Sequence, residues 1–242
     1  MFRQVIRKFL FLRSFDTRGR NTDVASALES LLNNDSTILD AGCGENGISN
    51  FVSKGKFAGV DLHPPNFRRK GVAFIQASML SLPFRQDSFS LVTSVDVLEH
   101  LSPEARRLAI AEMVRVAKKG ILVAFPYGQS GRKIDEKFYE RLKNTDQQIP
   151  EWLAEHLQFA YPEIDSVRQV MQSEAGKRGL GITIRVSYSE NVKLTSLLRW
   201  AAAKSTILYV IGNFLIGLLQ PLFPQGRQGA SYRAILIGEF AR

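Results

Sequence analysis

Between Thr37 and Gly44 the chain passes from a short apolar run, Thr37-Ile38-Leu39-Asp40, directly into Ala41-Gly42-Cys43-Gly44. A strand that ends on two closely spaced glycines permits few continuations. Glycine has no Cβ and tolerates left-handed backbone, so such a loop turns sharply and lets backbone N–H groups approach a ligand. Alone, the loop suits an ordinary strand-to-helix turn or a site for any of several nucleotides. A second acid narrows the choice. Asp61 follows Asp40 by 21 residues and ends the next apolar run, Ala58-Gly59-Val60-Asp61. A carboxylate at that place can accept from both hydroxyls of a ribose.

The segments beyond continue the alternation. A helix is expected from Asn21 or Thr22 to about Asn33. Strands are expected at 72–76, 89–95 and 121–125, and a helix over 103–118 turns Leu108, Ala109, Met113 and Val116 inward and stops at Gly120. Residues 129–160 read as polar and loop-rich, an insertion over the cleft. Pro162 starts a helix, 182–186 is a sixth strand and 231–238 the last. Strands alternating with helices imply βαβ units and a mostly parallel sheet.

Several segments together carry a family resemblance. Ile38-Leu39-Asp40-Ala41-Gly42-Cys43-Gly44 resembles the first signature motif of class I S-adenosylmethionine-dependent methyltransferases, and Gly59-Val60-Asp61-Leu62 the second. Ser81 to Val92, with Leu82-Pro83-Phe84 and Asp87-Ser88-Phe89, is similar to the third. Asp96-Val97-Leu98-Glu99-His100-Leu101 resembles the segment after the fourth strand, and Met113 to Gly120 follows it in the family's order. The resemblance covers roughly residues 36–128 and is closest to the broad group of quinone and small-molecule methyltransferases.

It implies a Rossmann-like α/β sheet with an antiparallel last strand, and S-adenosyl-L-methionine as cofactor. In that scheme Gly42, Cys43 and Gly44 line the methionine part, and Asp40 at the start of the loop is counted with the cofactor-binding residues. Asp61 binds the ribose and Leu62 lies against the adenine. Ser78 and Met79 flank the adenine edge, while Val95 and Asp96 lie beneath the cofactor. Two positions depart from the pattern. Asn46 stands where a third glycine is common, with Gly47 next, and Ser78 replaces an aspartate that would accept from the adenine amino group. Asparagine tolerates left-handed backbone and a hydroxyl accepts more weakly, so both functions are expected to survive.

Methyl transfer from a sulfonium is an in-line displacement, in which positioning the acceptor supplies much of the rate. An oxygen or nitrogen acceptor also calls for a base. His100, just past the fourth strand, is the candidate; the alternative has Glu99 and His100 shaping the helix start. His156 in the 129–160 segment is a second histidine placed to meet the acceptor. No metal site is expected: one cysteine and three scattered histidines lack ligand spacing.

Charge and hydropathy add a second theme. The chain carries a net +9, and residues 1–20 and 191–242 each hold six Lys/Arg against one acid, so the basic charge sits at the two ends. Such ends fit an anionic membrane surface or nucleic acid. The acceptor motif of base-directed amino methyltransferases does not follow the fourth strand; Pro64-Pro65-Asn66-Phe67 comes after the second. Nucleic acid is therefore not the expected partner. Residues 2–12 form an amphipathic helix that covers the core or lies on a membrane. From Ser205 to Gly226 no residue is charged, yet Thr206–Leu219 is about 21 Å as a helix, against roughly 30 Å for a bilayer core. With the last two strands as a hairpin, a single crossing would strand the last of them on the wrong side. The insert is expected to dock at the interface with Arg199, Lys204 and Arg227 at headgroup level, or to serve as a dimer face or a lid.

The expected organisation is a basic N-terminal helix (1–20), a cofactor-binding core (21–190, with a cap at 129–165), an apolar helical insert (191–230) and a last strand (231–242). The chain reads as a cytoplasmic enzyme, peripheral on the inner face of the membrane, that methylates a small-molecule or lipid-linked acceptor. The alternative is a non-catalytic membrane-associated protein that keeps the fold.

Overall fold

A computed structural model of the chain describes residues 21–44, 47–63, 71–219, 226 and 228–241. The expected N-terminal helix, Asn46 and Arg227 lie outside the described residues. Helix α1 (Asp23–Glu29) leads into β1 (Thr37–Ala41), β2 (Lys56–Asp61), β3 (Ala73–Gln76) and β4 (Phe89–Val95). Helix α2 (Pro103–Val116), β5 (Ala117–Pro126), α3 (Gly128–Lys143), α4 (Glu151–His156) and α5 (Ile164–Lys177) follow. The chain continues through β6 (Gly181–Asn191), α6 (Val192–Lys204) and α7 (Thr206–Leu219) to β7 (Ser231–Ala241).

The strands form one seven-stranded sheet in the order β3-β2-β1-β4-β5-β7-β6. The first five are parallel, with Asp40 opposite Gly59 on β2 and Thr93 on β4. The far edge reverses. Tyr127 N–H donates to Tyr232 O while the other end of β5 meets β7 at Gly120 and Gly238, so residue numbers rise on one strand as they fall on the other. Between β6 and β7, Gly181 faces Ala241 and Val192 N–H donates to Ala230 O, again antiparallel.

The chain divides into two compact units. One holds 24–125, 162–186 and 235–242. Its core takes Val24 and Leu28 of α1, Ile38 of β1, Leu91 and Val95 of β4, Leu122 and Ala124 of β5, and Ile235 and Ile237 of β7. Each Val, Leu or Ile among them contributes about 1.5–3 kcal/mol by leaving water. The other unit holds the chain up to Asp23, 126–161 and 187–234. Within it Phe138 and Leu142 of α3, Leu153 of α4 and Ala203 of α6 form a separate cluster.

Four expectations are corrected here. Residues 129–160 are largely helical, because Ile134, Phe138 and Leu142 recur every four residues and are buried on one face. Gly120 does not stop α2, which ends at Val116. It lies inside β5, where a Cβ would come within 2.3 Å of Gly238 O, so close strand packing is what requires it. Leu108 is 57% exposed, and Ile110 and Val114 take the inward place beside Met113. Arg199 does not reach out from α6. Its side chain is largely buried, 3.7 Å from Asp135 and stacked over Trp152.

Candidate functional site

The carboxyl ends of β1, β2 and β4 in the first unit bring the expected residues together. After Ala41 the chain turns through Gly42 at φ 77° and Gly44 at φ 50°. The N–H groups of Gly42 and Cys43 both donate to Val60 O, at 2.8 and 3.1 Å, which ties the turn to β2. A Cβ on Gly42 would come within 2.4 Å of Val97. At Gly44 a Cβ would meet nothing within 4 Å, so the loop has open space beside it. Glycine there serves the backbone conformation and leaves room for a ligand.

Asp61 ends β2 facing this loop. Its Oδ2 accepts from Gly44 N–H at 2.8 Å and its Oδ1 from His63 N–H at 3.1 Å. Each oxygen keeps lone pairs beyond these bonds, so the group is held in place while still able to accept from a diol. The next residue, Leu62, is 59% exposed, an aliphatic surface beside the carboxylate.

Asp40 sits behind the loop. It is 3% exposed; its Oδ2 accepts from Ile48 N–H at 2.8 Å and its Oδ1 from Thr93 Oγ at 3.3 Å. Asp40 therefore braces the loop from within. The glycine demand displaced from position 46 falls on Gly47, whose Cβ would lie 2.6 Å from Asp40 Oδ2 and 3.2 Å from Cys43 Cβ. Gly47 and Thr93 were missed. Gly47 was legible only as a glycine one place out of register.

Cys43 packs its sulfur against Gly59, where a Cβ would be 2.8 Å away. Burial, and then the nearby Asp40 and Asp61 charges, push its thiol up to about 12. The thiol stays protonated and acts as packing, not as a nucleophile. Ser78 is partly engaged, since its Oγ accepts from Leu80 N–H at 3.2 Å. Met79 and Val95 are buried. Asp96 has left-handed backbone, φ 54°, with its N–H donating to Ala124 O at 2.8 Å. That conformation turns the chain out of β4 and is tolerated by aspartate more than by most residues. His100 follows on a single 3-10 turn, Leu98–His100, half-buried. Arg106 Nε donates to Leu98 O at 2.7 Å and its guanidinium attracts the buried Glu99 carboxylate. Glu99 thus lies buried beside this turn with Arg106 as a nearby counter-charge.

His156 belongs to the other unit, in a cluster that the sequence did not announce. Asp135 on α3 is fully buried; its Oδ2 accepts from the hydroxyls of Tyr161 and Tyr232 and lies 3.2 Å from His156 Nδ1. Burial pushes the Asp135 carboxyl up, but His156, Arg199, Tyr161 and Tyr232 outweigh it and hold it below its usual range. Asp135 is therefore the ionised centre of a hydrogen-bonded network.

Comparison with known proteins agrees with the first unit's geometry. Residues 39–125 match a family model described as a methyltransferase domain. A tRNA (carboxymethyluridine(34)-5-O)-methyltransferase of Arabidopsis thaliana is 41% identical over 101 residues, 40% of this chain and 25% of that protein. A phthiotriol/phenolphthiotriol dimycocerosates methyltransferase of Mycobacterium leprae is 26% identical over 110 residues, 41% of this chain and 40% of that protein. The chain thus spans well under two thirds of the length of these relatives. Among solved structures, a methyltransferase from an antibiotic biosynthesis pathway of Anabaena variabilis has a TM-score of 0.55 at 13% identity, covering 90% of this chain and 98% of that one. A cyclopropane synthase of Mycobacterium tuberculosis has a TM-score of 0.53 at 15% identity, covering 91% and 83%. At these identities the likeness is one of fold.

Proposed function

The chain is a member of the class I S-adenosylmethionine-dependent methyltransferases, with its methyltransferase domain at residues 39–125, and from that premise we propose that it transfers the methyl group of S-adenosylmethionine to a small-molecule or lipid-linked acceptor. The observation that carries this reading is the pairing of Asp61 with the open glycine turn, where a carboxylate is held 2.8 Å from Gly44 N–H beside free space.

The residues present fit the cofactor. Gly42, Cys43 and Gly44 would receive its amino-acid part with backbone groups, because neither glycine puts a Cβ in the way and the Cys43 side chain packs on Gly59. Asp61 would accept from the ribose hydroxyls, and exposed Leu62, with Ser78 and Met79, would bound the adenine. Val95 and Asp96 would form the floor. Asp40, Thr93 and Gly47 hold the turn in shape. Bound there, the sulfonium supplies a methyl group that needs no metal and no covalent enzyme intermediate for its displacement. The chain's task is then to orient an acceptor and to receive a proton where the acceptor is a hydroxyl or amine. His100 is the proposed base on the first unit. The relatives are named for acceptors as different as a tRNA and a lipid, so the shared domain leaves the acceptor open. The basic ends support an acceptor met at the inner face of a membrane by a peripheral protein.

Isothermal titration of the full chain with S-adenosylmethionine tests the reading. Saturable one-site binding is expected, with Asp61→Ala weakening it by about 100-fold, the loss of two hydrogen bonds to a charged acceptor. Wild-type protein that is folded yet takes up no cofactor would favour the non-catalytic alternative. Transfer of labelled methyl groups into separated lipid, small-molecule and RNA fractions of an extract then identifies the acceptor class; label in the RNA fraction alone would overturn the acceptor proposed here.

A further inference from the structure

Helix α7 is amphipathic in the reverse sense. Ile207 is 70% exposed, and Leu208, Val210, Ile211 and Leu215 are about half exposed. At 100° per residue these five occupy an arc of about 160°. Tyr209, Gly212 and Asn213 fall on the opposite side. Asn213 is 6% exposed, and a Cβ on Gly212 would lie 3.4 Å from Leu198 of α6, so this is the side that packs on the protein. A helix at a water-facing surface sorts its residues the other way, with aliphatics inward and amides outward. The outward arc of α7 is built for an apolar medium.

The surroundings say which medium. No residue from Ser205 to Gly226 is charged. Lys193 and Lys204 are exposed on α6, as are Leu197 and Trp200. Among the described residues no helix is long and apolar enough to cross a membrane. An uncharged apolar arc beside a cationic helix, too short to span, has the features of a helix lying in the plane of an anionic bilayer. Protein–protein interface cores instead place arginine anchors and hydrogen-bonding groups among their apolar residues; the α7 arc, in which the half-buried Phe214 also falls, offers no charged or hydrogen-bonding side chain.

We propose that the outward face of α7 is a membrane-docking surface that enters the headgroup–acyl boundary of an anionic bilayer, with Lys204 at headgroup level. The inference rests on the peripheral-membrane reading above and specifies the surface that performs it. It is independent of which acceptor is methylated.

The test is co-sedimentation of the full chain with vesicles of phosphatidylcholine alone and with phosphatidylglycerol added. The wild type is expected to partition onto the anionic vesicles and more weakly onto the neutral ones. Ile207→Glu/Ile211→Glu/Leu215→Glu is expected to lower partitioning by roughly tenfold or more, three aliphatic insertions being lost, while cofactor binding is unchanged. Ile207→Glu alone, at the most exposed of the five positions and so tolerated by the fold, is expected to show the same loss in smaller measure. Wild-type protein that ignores anionic vesicles overturns both the inference and the peripheral reading. Variants that partition as the wild type does overturn the α7 assignment alone. A wild-type dimer that the substitutions convert to monomer, with partitioning unaltered, makes a second copy of the chain the occupant and also overturns the proposal.

Discussion

Gly47 shows how narrowly the glycine loop is specified. Position 46 is asparagine, and the adjoining glycine lies where any side chain would strike the Asp40 carboxylate that supports the turn. Gly47→Ala places a Cβ 2.6 Å from Asp40 Oδ2. Relief requires Asp40 to give up its bond to Ile48 N–H, leaving a buried charge short of a donor. A loss of about 1–3 kcal/mol in stability is expected, with cofactor affinity at least roughly tenfold weaker because the turn is displaced. Chemical denaturation and titration of the variant read both; unchanged affinity would remove Gly47 from the site. At this scale the turn at Gly42 and Gly44 and the strand-end position of Asp61 were legible because their demands are local: a backbone conformation and a strand-end carboxylate. The hydrogen bonds of Asp40 to Ile48 and Thr93 were not, since a sequence does not reveal which side of a turn a carboxylate faces.

At the scale of elements, the helices α3, α4 and α6 and the strand β7 meet at Asp135. Tyr161 and Tyr232 donate to it, His156 lies against it and Arg199 approaches from α6, stacked on Trp152 and Phe138. Asp135→Ala removes the carboxylate that accepts from two buried hydroxyls and offsets the charge of a mostly buried guanidinium. A destabilisation of about 3–5 kcal/mol is expected, the range for breaking a buried ion pair from one side. Asp135→Asn keeps one acceptor oxygen and is expected to lose less. Denaturant unfolding followed by tryptophan fluorescence reports it directly, since Trp152 belongs to the network; equal midpoints for wild type and Asp135→Ala would refute the keystone role. The helix that carries Asp135 had its signal in Ile134, Phe138 and Leu142. Three glycines or serines at its start and many charges hid that period, and tertiary packing chose the helix.

Across the whole molecule, stability should respond to pH through Asp23 at the start of α1. Burial raises its carboxyl to about 6, and the Arg233 charge only partly offsets this. The folded value therefore lies above the usual carboxylate value of about 3.9. Its stabilising contribution is complete below that ordinary value and is lost as pH rises through about 6. Asp23→Asn is expected to remove this dependence: the gap between variant and wild-type midpoints should widen in the variant's favour from pH 4 to pH 7. A constant gap would show that Asp23 titrates normally. The succession of strands and helices along the chain through residue 128, the mostly parallel character of the sheet and the cofactor class were legible in the sequence, because hydrophobic period and glycine spacing act over a few residues; the order of strands within the sheet was not. Tertiary structure decided the rest. It gathered 126–161 with 187–234 into one unit, drew Arg199 inward to a buried carboxylate, and put Asn213 of α7 inside and Ile207 outside. Each of these depends on partners more than 50 residues apart or on which face of a helix meets the protein, and local pattern carries no information about either.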